Sequence, residues 1–170
     1  MIARLGGAEV IEHLDALVEL LRDSVDSGAS VGFLPPLARA AAEQYWRGVA
    51  GAAEAAERRV FALFEGGELA GTVQLQRATM PNQFHRGDVM KLMVHTKYRG
   101  RGYSRVLMDA AENEAREMGL RLLVLDTKQG DVAEGLYRKL GWTEAGAIPG
   151  YAFDADGTYV ATVIFYKELA

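Results

Sequence analysis

The spacing of apolar residues changes along the chain and predicts which segments are helical and which are extended. Apolar side chains at positions 10, 11, 14, 17, 18, 21 and 25 recur at helical intervals, and a second helical stretch follows Pro35-Pro36 over residues 37–53. A short strand is expected at residues 2–5. Residues 60–64 are continuously apolar, whereas residues 69–75 largely alternate between apolar and polar. Because Gly66-Gly67 lies between them, these two segments predict a β-hairpin.

The second half of the chain predicts alternating strands and helices. Strands are expected at 88–95, at 122–125, where Asp126-Thr127 closes the strand, and finally at 142–148 and 159–166. A helix from Tyr103 should end at Gly119, and a helix over 132–140 should end at Gly141. In the first of these helices, the polar residues Arg105, Asp109, Glu112 and Arg116 are expected on the outer face. The order of elements predicts one α+β domain, residues 1–170, with a mixed sheet.

Composition and charge exclude several classes of protein. The chain of 170 residues is 49% hydrophobic and 25% charged, with a net charge of −4, which argues against a general nucleic-acid binder. It contains no cysteine, so disulfides, thiol nucleophiles and thiolate metal sites are excluded, and the spacing of its three histidines predicts no metal site. We expect a cytoplasmic protein, because no signal peptide or membrane-spanning apolar run is evident.

A basic, glycine-containing turn precedes the helix that begins at Tyr103. Lys97, Arg99, Arg101 and Arg105 surround Gly100 and Gly102. Glycines let a backbone approach a ligand closely, and a helix N-terminus presents unpaired N–H groups, so the turn predicts a site for phosphate or pyrophosphate. The alternative is an ordinary strand-to-helix turn with surface cations. Neither the phosphate loop of nucleoside triphosphatases nor the Rossmann glycine pattern is present.

Two separated motifs resemble those of the GNAT family of N-acetyltransferases. RGRGYS at residues 99–104 resembles the family's R/Q-x-x-G-x-G/A signature, with Ser104 in place of the usual Gly or Ala. LYRKLGW at residues 136–142 resembles its L-Y-x-x-x-G-F segment, with Trp for Phe. Gly130 stands where many members carry Asn. The segments GDVAE at 130–134 and IPGYA at 148–152 are closer to the subgroup that includes tabtoxin-resistance acetyltransferases.

The resemblance implies a fold, a cofactor and a set of cofactor-binding residues. The fold would be a central mixed, mostly antiparallel sheet flanked by helices. Acetyl-CoA would be the acetyl donor, with its pyrophosphate on the amides of the glycine turn and its pantetheine along the preceding strand. The expected cofactor-binding residues are Leu92, Met93, Val94, Arg99, Gly100, Arg101, Gly102, Tyr103, Ser104 and Arg105.

Candidate catalytic and substrate-binding residues follow from the chemistry of acetyl transfer. Tyr137 occupies the motif position of the acid that protonates the leaving thiolate, although a tyrosine packed in the core is the alternative. Asp88 and Asp126 are candidates for the general base or for binding the substrate ammonium, but either could instead serve a loop or turn. Because members of the family use the segment between the first two helices to shape the acceptor site, the resemblance implies that Phe33 and Trp46 contact substrate. Core packing is the alternative for these two aromatic residues, and His85 is a further candidate for substrate contact.

The predicted activity is therefore acetyl transfer to a primary amine of a small molecule, which would be amino-acid-like or an antibiotic or toxin. The amine would attack directly in a ternary complex, because the chain offers no evident nucleophile for an acyl-enzyme. A protein N-terminal or lysine acetyltransferase, or a non-catalytic regulatory domain that binds acyl-CoA, is the alternative. We expect a monomer or homodimer with no nucleic-acid or membrane partner.

Overall fold

The computed structural model describes residues 1–169, and a seven-stranded sheet runs through this part of the chain. Its strands are β1 (Ile2–Leu5), β2 (Arg58–Glu65), β3 (Glu68–Arg77), β4 (Arg86–Val94), β5 (Leu122–Lys128), β6 (Thr143–Phe153) and β7 (Tyr159–Glu168). The order across the sheet is β1-β2-β3-β4-β5-β7-β6. All neighbouring strands are antiparallel except β4 and β5, which are parallel. The predicted α+β fold with a mixed, mostly antiparallel sheet is confirmed.

Five helices flank the sheet in the described residues: α1 (Gly7–Glu12), α2 (Leu14–Asp26), α3 (Arg39–Glu54), α4 (Tyr103–Glu117) and α5 (Val132–Lys139). Short 3-10 turns occupy Pro81–Gln83 and Thr96–Tyr98. The single helix predicted over residues 10–25 is divided at His13, whose backbone (φ −96°, ψ 15°) ends α1 and begins α2. The His13 ring packs 5.0 Å from the Phe64 ring, between centroids.

Apolar side chains fill both faces of the sheet. On one face, Leu107, Met108, Leu123 and Phe165 are among the fully buried residues between the sheet and α4 and α5. The other face packs against α1, α2 and α3. Burying one large aliphatic or aromatic side chain contributes about 1.5–3 kcal/mol, so both layers stabilise the sheet. Within residues 1–169, no helix has the length and apolarity needed to cross a bilayer.

Glu112 departs from the prediction for α4. It was expected on the outer face, but it is only 5% exposed. Its carboxylate accepts hydrogen bonds from Trp142 Nε1 at 3.1 Å and from Lys167 Nζ at 2.7 Å. A buried carboxylate is tolerated when charged and polar groups surround it, so these two distant partners explain the burial.

Strand β6 is longer than predicted, because it continues through Pro149 and Gly150. It is an edge strand, where a proline need not donate to a neighbour. Its pairing with β7 shifts register between Ile148 and Ala152, which accommodates the irregular segment.

Candidate active site

A cleft opens where the two parallel strands separate. β4 and β5 pair only from Arg86–Leu122 to Asp88–Val124. Beyond these three pairs the strands diverge, and two adjoining cavities occupy the gap. The first has a volume of about 370 Å³ and is walled by the glycine turn; we call it the glycine-turn cavity. The second, about 270 Å³, is walled by Tyr137 and is called the Tyr137 cavity. The two share Ala29, Leu92, Asp131 and Ala133, so they are neighbouring parts of one cleft.

The glycine turn presents a row of free backbone donors. Gly100 (φ +77°) and Gly102 (φ +79°) adopt the left-handed conformation that glycine reaches without strain. The N–H groups of residues 100–104 donate to no acceptor among the described residues. Gly102 caps α4, so the last two of these donors belong to its first turn. Successive N–H groups at a helix N-terminus form an anion-binding site, and these residues therefore fit a pyrophosphate.

The basic side chains near this turn are arranged differently from the prediction. Arg101 pairs with Glu65 at 2.8 Å and Lys97 with Glu68 at 2.5 Å, both on the β2–β3 hairpin. Arg101 and Arg105 do not line the glycine-turn cavity. Arg99 does line it, and its guanidinium bonds to Ser27 Oγ at 2.7 Å. The site is thus built mainly from main-chain amides rather than from four converging cations.

The predicted cofactor-binding residues otherwise come together. Eight of them line the glycine-turn cavity: Leu92, Met93, Val94, Arg99, Gly100, Gly102, Tyr103 and Ser104. The opposite wall, which sequence reasoning missed, comes from the end of α2 and the loop after it, with Ser24, Ser27, Gly28 and Ala29. Ser24 Oγ is enclosed and has no hydrogen-bond partner in residues 1–169. In the sequence, the small residues at 27–30 were the available signal that this loop lies close to the glycine turn.

A β-bulge shapes the edge of β4 that faces the cleft. Thr72 pairs with Met93 and Gln74 with Met90, so β4 carries one more residue than β3 over this span. Lys91 adopts φ +54°, which is uncommon for a residue with a side chain. The bulge removes Lys91 and Leu92 from the regular ladder, and both line the Tyr137 cavity.

Tyr137 lies on α5 and borders the Tyr137 cavity although it is only 6% exposed. Its ring packs against Trp142 and Phe165, with centroids 6.1 Å and 5.8 Å away. Burial, followed by the nearby carboxylates of Asp131 and Asp126, raises the pKa of Tyr137 well above its ordinary value. The phenol therefore stays protonated across the neutral range and is available as a proton donor.

The two predicted carboxylates are placed differently. Asp126 lines the Tyr137 cavity and accepts a hydrogen bond from Thr162 Oγ1 at 2.9 Å. Asp88 does not line either cavity, and its carboxylate pairs with Arg86 at 2.5 Å. The structure therefore brings Asp126, but not Asp88, to the same space as Tyr137.

None of the three predicted substrate contacts lines the cleft. Trp46 is completely buried, so it belongs to the core between α3 and the sheet. Phe33 is half-buried and packs edge-on against Tyr45, 5.4 Å between centroids. His85 is exposed, and its carbonyl accepts from Arg121 N at 2.8 Å, before β4 begins. The three side chains therefore lie outside both cavities, and their contact with substrate stays a prediction.

Lys91 and Asp131 are site residues that sequence reasoning missed. Burial and the positive charge of Arg58 lower the pKa of Lys91, while Asp126 acts in the opposite direction. Its ammonium lies 5.8 Å from the centroid of the Tyr45 ring. Asp131 borders both cavities and caps α5 by accepting from Val132 N at 2.6 Å. The role of Lys91 depends on the bulge, which only strand pairing reveals, whereas an Asp directly before the helix at residue 132 was the available signal for the N-cap at Asp131.

Sequence comparison identifies relatives of this chain. The model of the acetyltransferase (GNAT) family matches residues 15–142. A protein of Azospirillum brasilense described as an uncharacterized N-acetyltransferase in the hisH-hisA intergenic region is 34% identical over 118 residues, which are 68% of each chain.

Solved structures share the fold at low sequence identity. The ribosomal-protein-alanine N-acetyltransferase of Brucella melitensis superposes with a TM-score of 0.83 at 20% identity, covering 99% of each chain. The yncA protein of Salmonella typhimurium, solved with its cofactor acetyl-CoA, has a TM-score of 0.81 at 17% identity, covering 100% of this chain and 94% of its own. An N-acetyltransferase of Staphylococcus aureus Mu50 also has a TM-score of 0.83, at 17% identity, covering 100% of this chain and 98% of its own.

Proposed function

We propose, from the premise that this chain belongs to the GNAT family of acetyltransferases, that it transfers the acetyl group of acetyl-CoA to the primary amine of a small molecule. The observation that carries the proposal is that the two cavities adjoin and share four lining residues. One is lined by Gly100, Gly102, Tyr103 and Ser104, whose amides are free, and the other by Tyr137 and Asp126. Donor and acceptor can therefore meet beside Leu92, which borders both.

The glycine-turn cavity supports binding of the donor. The amides of residues 100–104 would hold its pyrophosphate, a role in which hydrogen bonds to a charged group contribute about 1.5–3 kcal/mol each. The edge of β4 at residues 92–94 would pair with the amides of the pantetheine arm, in the manner of an added strand. The donor supplies an acetyl thioester, and the cleft delivers it towards the Tyr137 cavity.

Acetyl transfer requires that the amine lose a proton. An α-amino group with a pKa near 8 is about 90% protonated at pH 7, a handicap of about 1.4 kcal/mol, whereas a lysine amine at about 10.4 carries about 4.6 kcal/mol. The Asp126 carboxylate would bind the ammonium and accept or relay its proton. As the nitrogen bonds to the carbonyl carbon, main-chain N–H groups of the bulged strand would stabilise the negative oxygen.

The carbon–sulfur bond then breaks, and the sulfur needs a proton. Tyr137 is the proposed donor, because its phenol borders the cavity and is protonated at neutral pH. Positioned acids of this kind contribute about 10²–10⁴-fold in rate. The products would be the N-acetylated amine and coenzyme A.

The dimensions of the Tyr137 cavity favour a small acceptor. Its volume of about 270 Å³ lies at the lower end of ligand pockets, which span about 300–1,000 Å³. The loop residues 29–32 form one wall, and Tyr151 and Ala152 of β6 form another. A small amine fits between these walls more easily than the N-terminus or a lysine side chain of a folded protein. A protein acceptor is the alternative within the family.

The donor site is tested by melting temperature with and without acetyl-CoA. Acetyl-CoA should stabilise the wild-type protein, and Gly102→Glu should abolish the shift, because it introduces a carboxylate among the amides. Gly157→Glu is the matched control, since Gly157 has φ +82°, open space around its Cβ position and a place in the distant β6–β7 turn. An equal shift in both variants would contradict the assignment.

Activity is tested by thiol release across a panel of small amines and peptides. We expect Tyr137→Phe to lower turnover about 10²–10⁴-fold while acetyl-CoA still binds. Tyr159→Phe, at a residue that is 71% exposed, is the control. Peptides used in preference to every small amine would refute the proposed acceptor class.

A further inference from the structure

Lys91 is a cation in the Tyr137 cavity without an ion-pair partner among residues 1–169. Lys128 borders the same cavity, and its ammonium is neutralised by Asp154 at 2.5 Å. Lys91, in contrast, forms no ion pair and no side-chain hydrogen bond with residues 1–169. A partly buried ammonium without a carboxylate is uncommon, because its lost hydration is not replaced.

The surroundings hold this ammonium in place. The Tyr45 ring lies 5.8 Å from Nζ, and the Tyr45 hydroxyl is itself tied to Gln74 at 3.2 Å. The loop after α2 approaches from another side, since a Cβ on Gly32 would lie 3.3 Å from Nζ. The backbone of Lys91 is also in the left-handed region at φ +54°. Strained backbone that carries an uncompensated charge is typical of a binding site.

The other charges of the cavity define what it can accept. Arg58 lies close enough to lower the pKa of Lys91, and Asp126 close enough to oppose that effect. Asp131 lies at the boundary with the glycine-turn cavity. The acidic groups are thus available to an ammonium, whereas Lys91 is the one lining cation in the described chain that lacks an ion pair. This arrangement complements a molecule that carries both an amine and an anion.

We propose that Lys91 binds a carboxylate of the acceptor and so restricts the enzyme to amino acids and closely related amines that carry an anionic group. This inference rests on the proposed function, because it names the class of acceptor for the same cavity. The carboxylate would accept hydrogen bonds from the Lys91 ammonium, and the amine would lie on the side of Asp126. Lys91 is a specificity residue here and takes no part in proton transfer.

The test compares each of the common L-amino acids with its α-carboxamide in thiol release with acetyl-CoA. The carboxamide keeps the shape and the amine but loses the negative charge. The loss of the negative charge also lowers the pKa of the amine, so a larger fraction of the carboxamide is in the reactive, unprotonated form. This effect favours the carboxamide and therefore works against the expected result. For the preferred amino acid, we expect kcat/KM to exceed that of its carboxamide by about 10- to 100-fold, as for a hydrogen bond to a charged group.

Substitution of Lys91 should remove that discrimination. Lys91→Met should lower kcat/KM for the amino acid by about 10- to 100-fold, chiefly through KM, and leave the carboxamide nearly unchanged. Lys91→Arg should retain part of the preference. Lys139→Met, at an exposed position of α5, should behave as wild type. The melting temperature of ligand-free Lys91→Met should rise above wild type, because a buried unpaired charge is removed; a purely structural Lys91 would lower it.

Several results would overturn the inference. One is that carboxamides or carboxylate-free amines are used as well as amino acids, or that no amino acid is used. Another is that Lys91→Met reduces kcat equally for both members of a pair, which indicates a general base. If carboxylate-free amines are acetylated while amino acids are not, the inference fails and the acetyltransferase proposal stands. If no amine is acetylated, both fail.

Discussion

The buried carboxylate of Glu112 should be a main stabilising contact behind the Tyr137 cavity. It joins α4 to the start of β6 through Trp142 and to β7 through Lys167. Trp142 in turn packs on Tyr137, so this contact supports the wall of the Tyr137 cavity. Glu112→Ala would leave the Trp142 N–H without an acceptor and the Lys167 ammonium without its carboxylate.

The expected cost follows from the burial of the partners. Breaking a buried ion pair costs about 3–5 kcal/mol. The lower end applies here, because Lys167 is 22% exposed and keeps a 2.9 Å bond to the Leu140 carbonyl. For a chain of this length, about 3 kcal/mol corresponds to a fall of roughly 6–12 °C in melting temperature.

Urea unfolding and thermal melting of Glu112→Ala measure this cost. Glu112→Gln should lose less, because its amide oxygen still accepts from Trp142. Asp109→Ala is the matched control, since Asp109 is exposed on the same helix and should change stability by no more than about 0.5 kcal/mol. A loss below about 1 kcal/mol in Glu112→Ala would refute the reasoning.

Three further predictions concern Tyr137, Asp131 and the core residue Trp46. The raised pKa of Tyr137 means that the folded state holds the phenol proton more tightly, so this contribution to stability is complete below about pH 10 and is lost as pH rises further. The urea midpoint should therefore decrease less steeply above about pH 10 in Tyr137→Phe than in the wild type. An unchanged decrease would argue against a raised pKa of Tyr137. Asp131→Asn should reduce the upward shift of the Tyr137 pKa, measured by ultraviolet titration, because it removes a nearby negative charge. Helix α5 should stay folded, since Asn also caps helices. An unchanged titration would show that the Asp131 charge does not raise the Tyr137 pKa. Trp46→Phe should cost about 1–3 kcal/mol of stability but leave the acceptor KM unchanged, and a raised KM would restore Trp46 as a substrate contact.

Local patterns were sufficient to predict most of the fold. The helical spacing before residue 26, the hairpin around Gly66-Gly67 and the glycine turn before Tyr103 each depend on neighbouring residues. The structure places elements at all three. Tyr137 was found in the same way, because a short motif marks it and it does border the cleft.

The features that the sequence did not reveal depend on distant partners. Glu112 is buried because Trp142 and Lys167 meet it from 30 and 55 positions away. Arg101 is directed away from the cleft because Glu65 lies on a strand 36 positions earlier. Lys91 enters the cavity because β4 bulges against β3, a mismatch in register that only strand pairing shows.

The most direct test of the account is a crystal structure with coenzyme A. We predict that the pyrophosphate oxygens lie within about 3.2 Å of main-chain nitrogens of residues 100–104, with the sulfur directed towards Tyr137. A coenzyme bound elsewhere, or with its pyrophosphate held by side chains while those amides face solvent, would contradict the assignment on which the proposed activity depends.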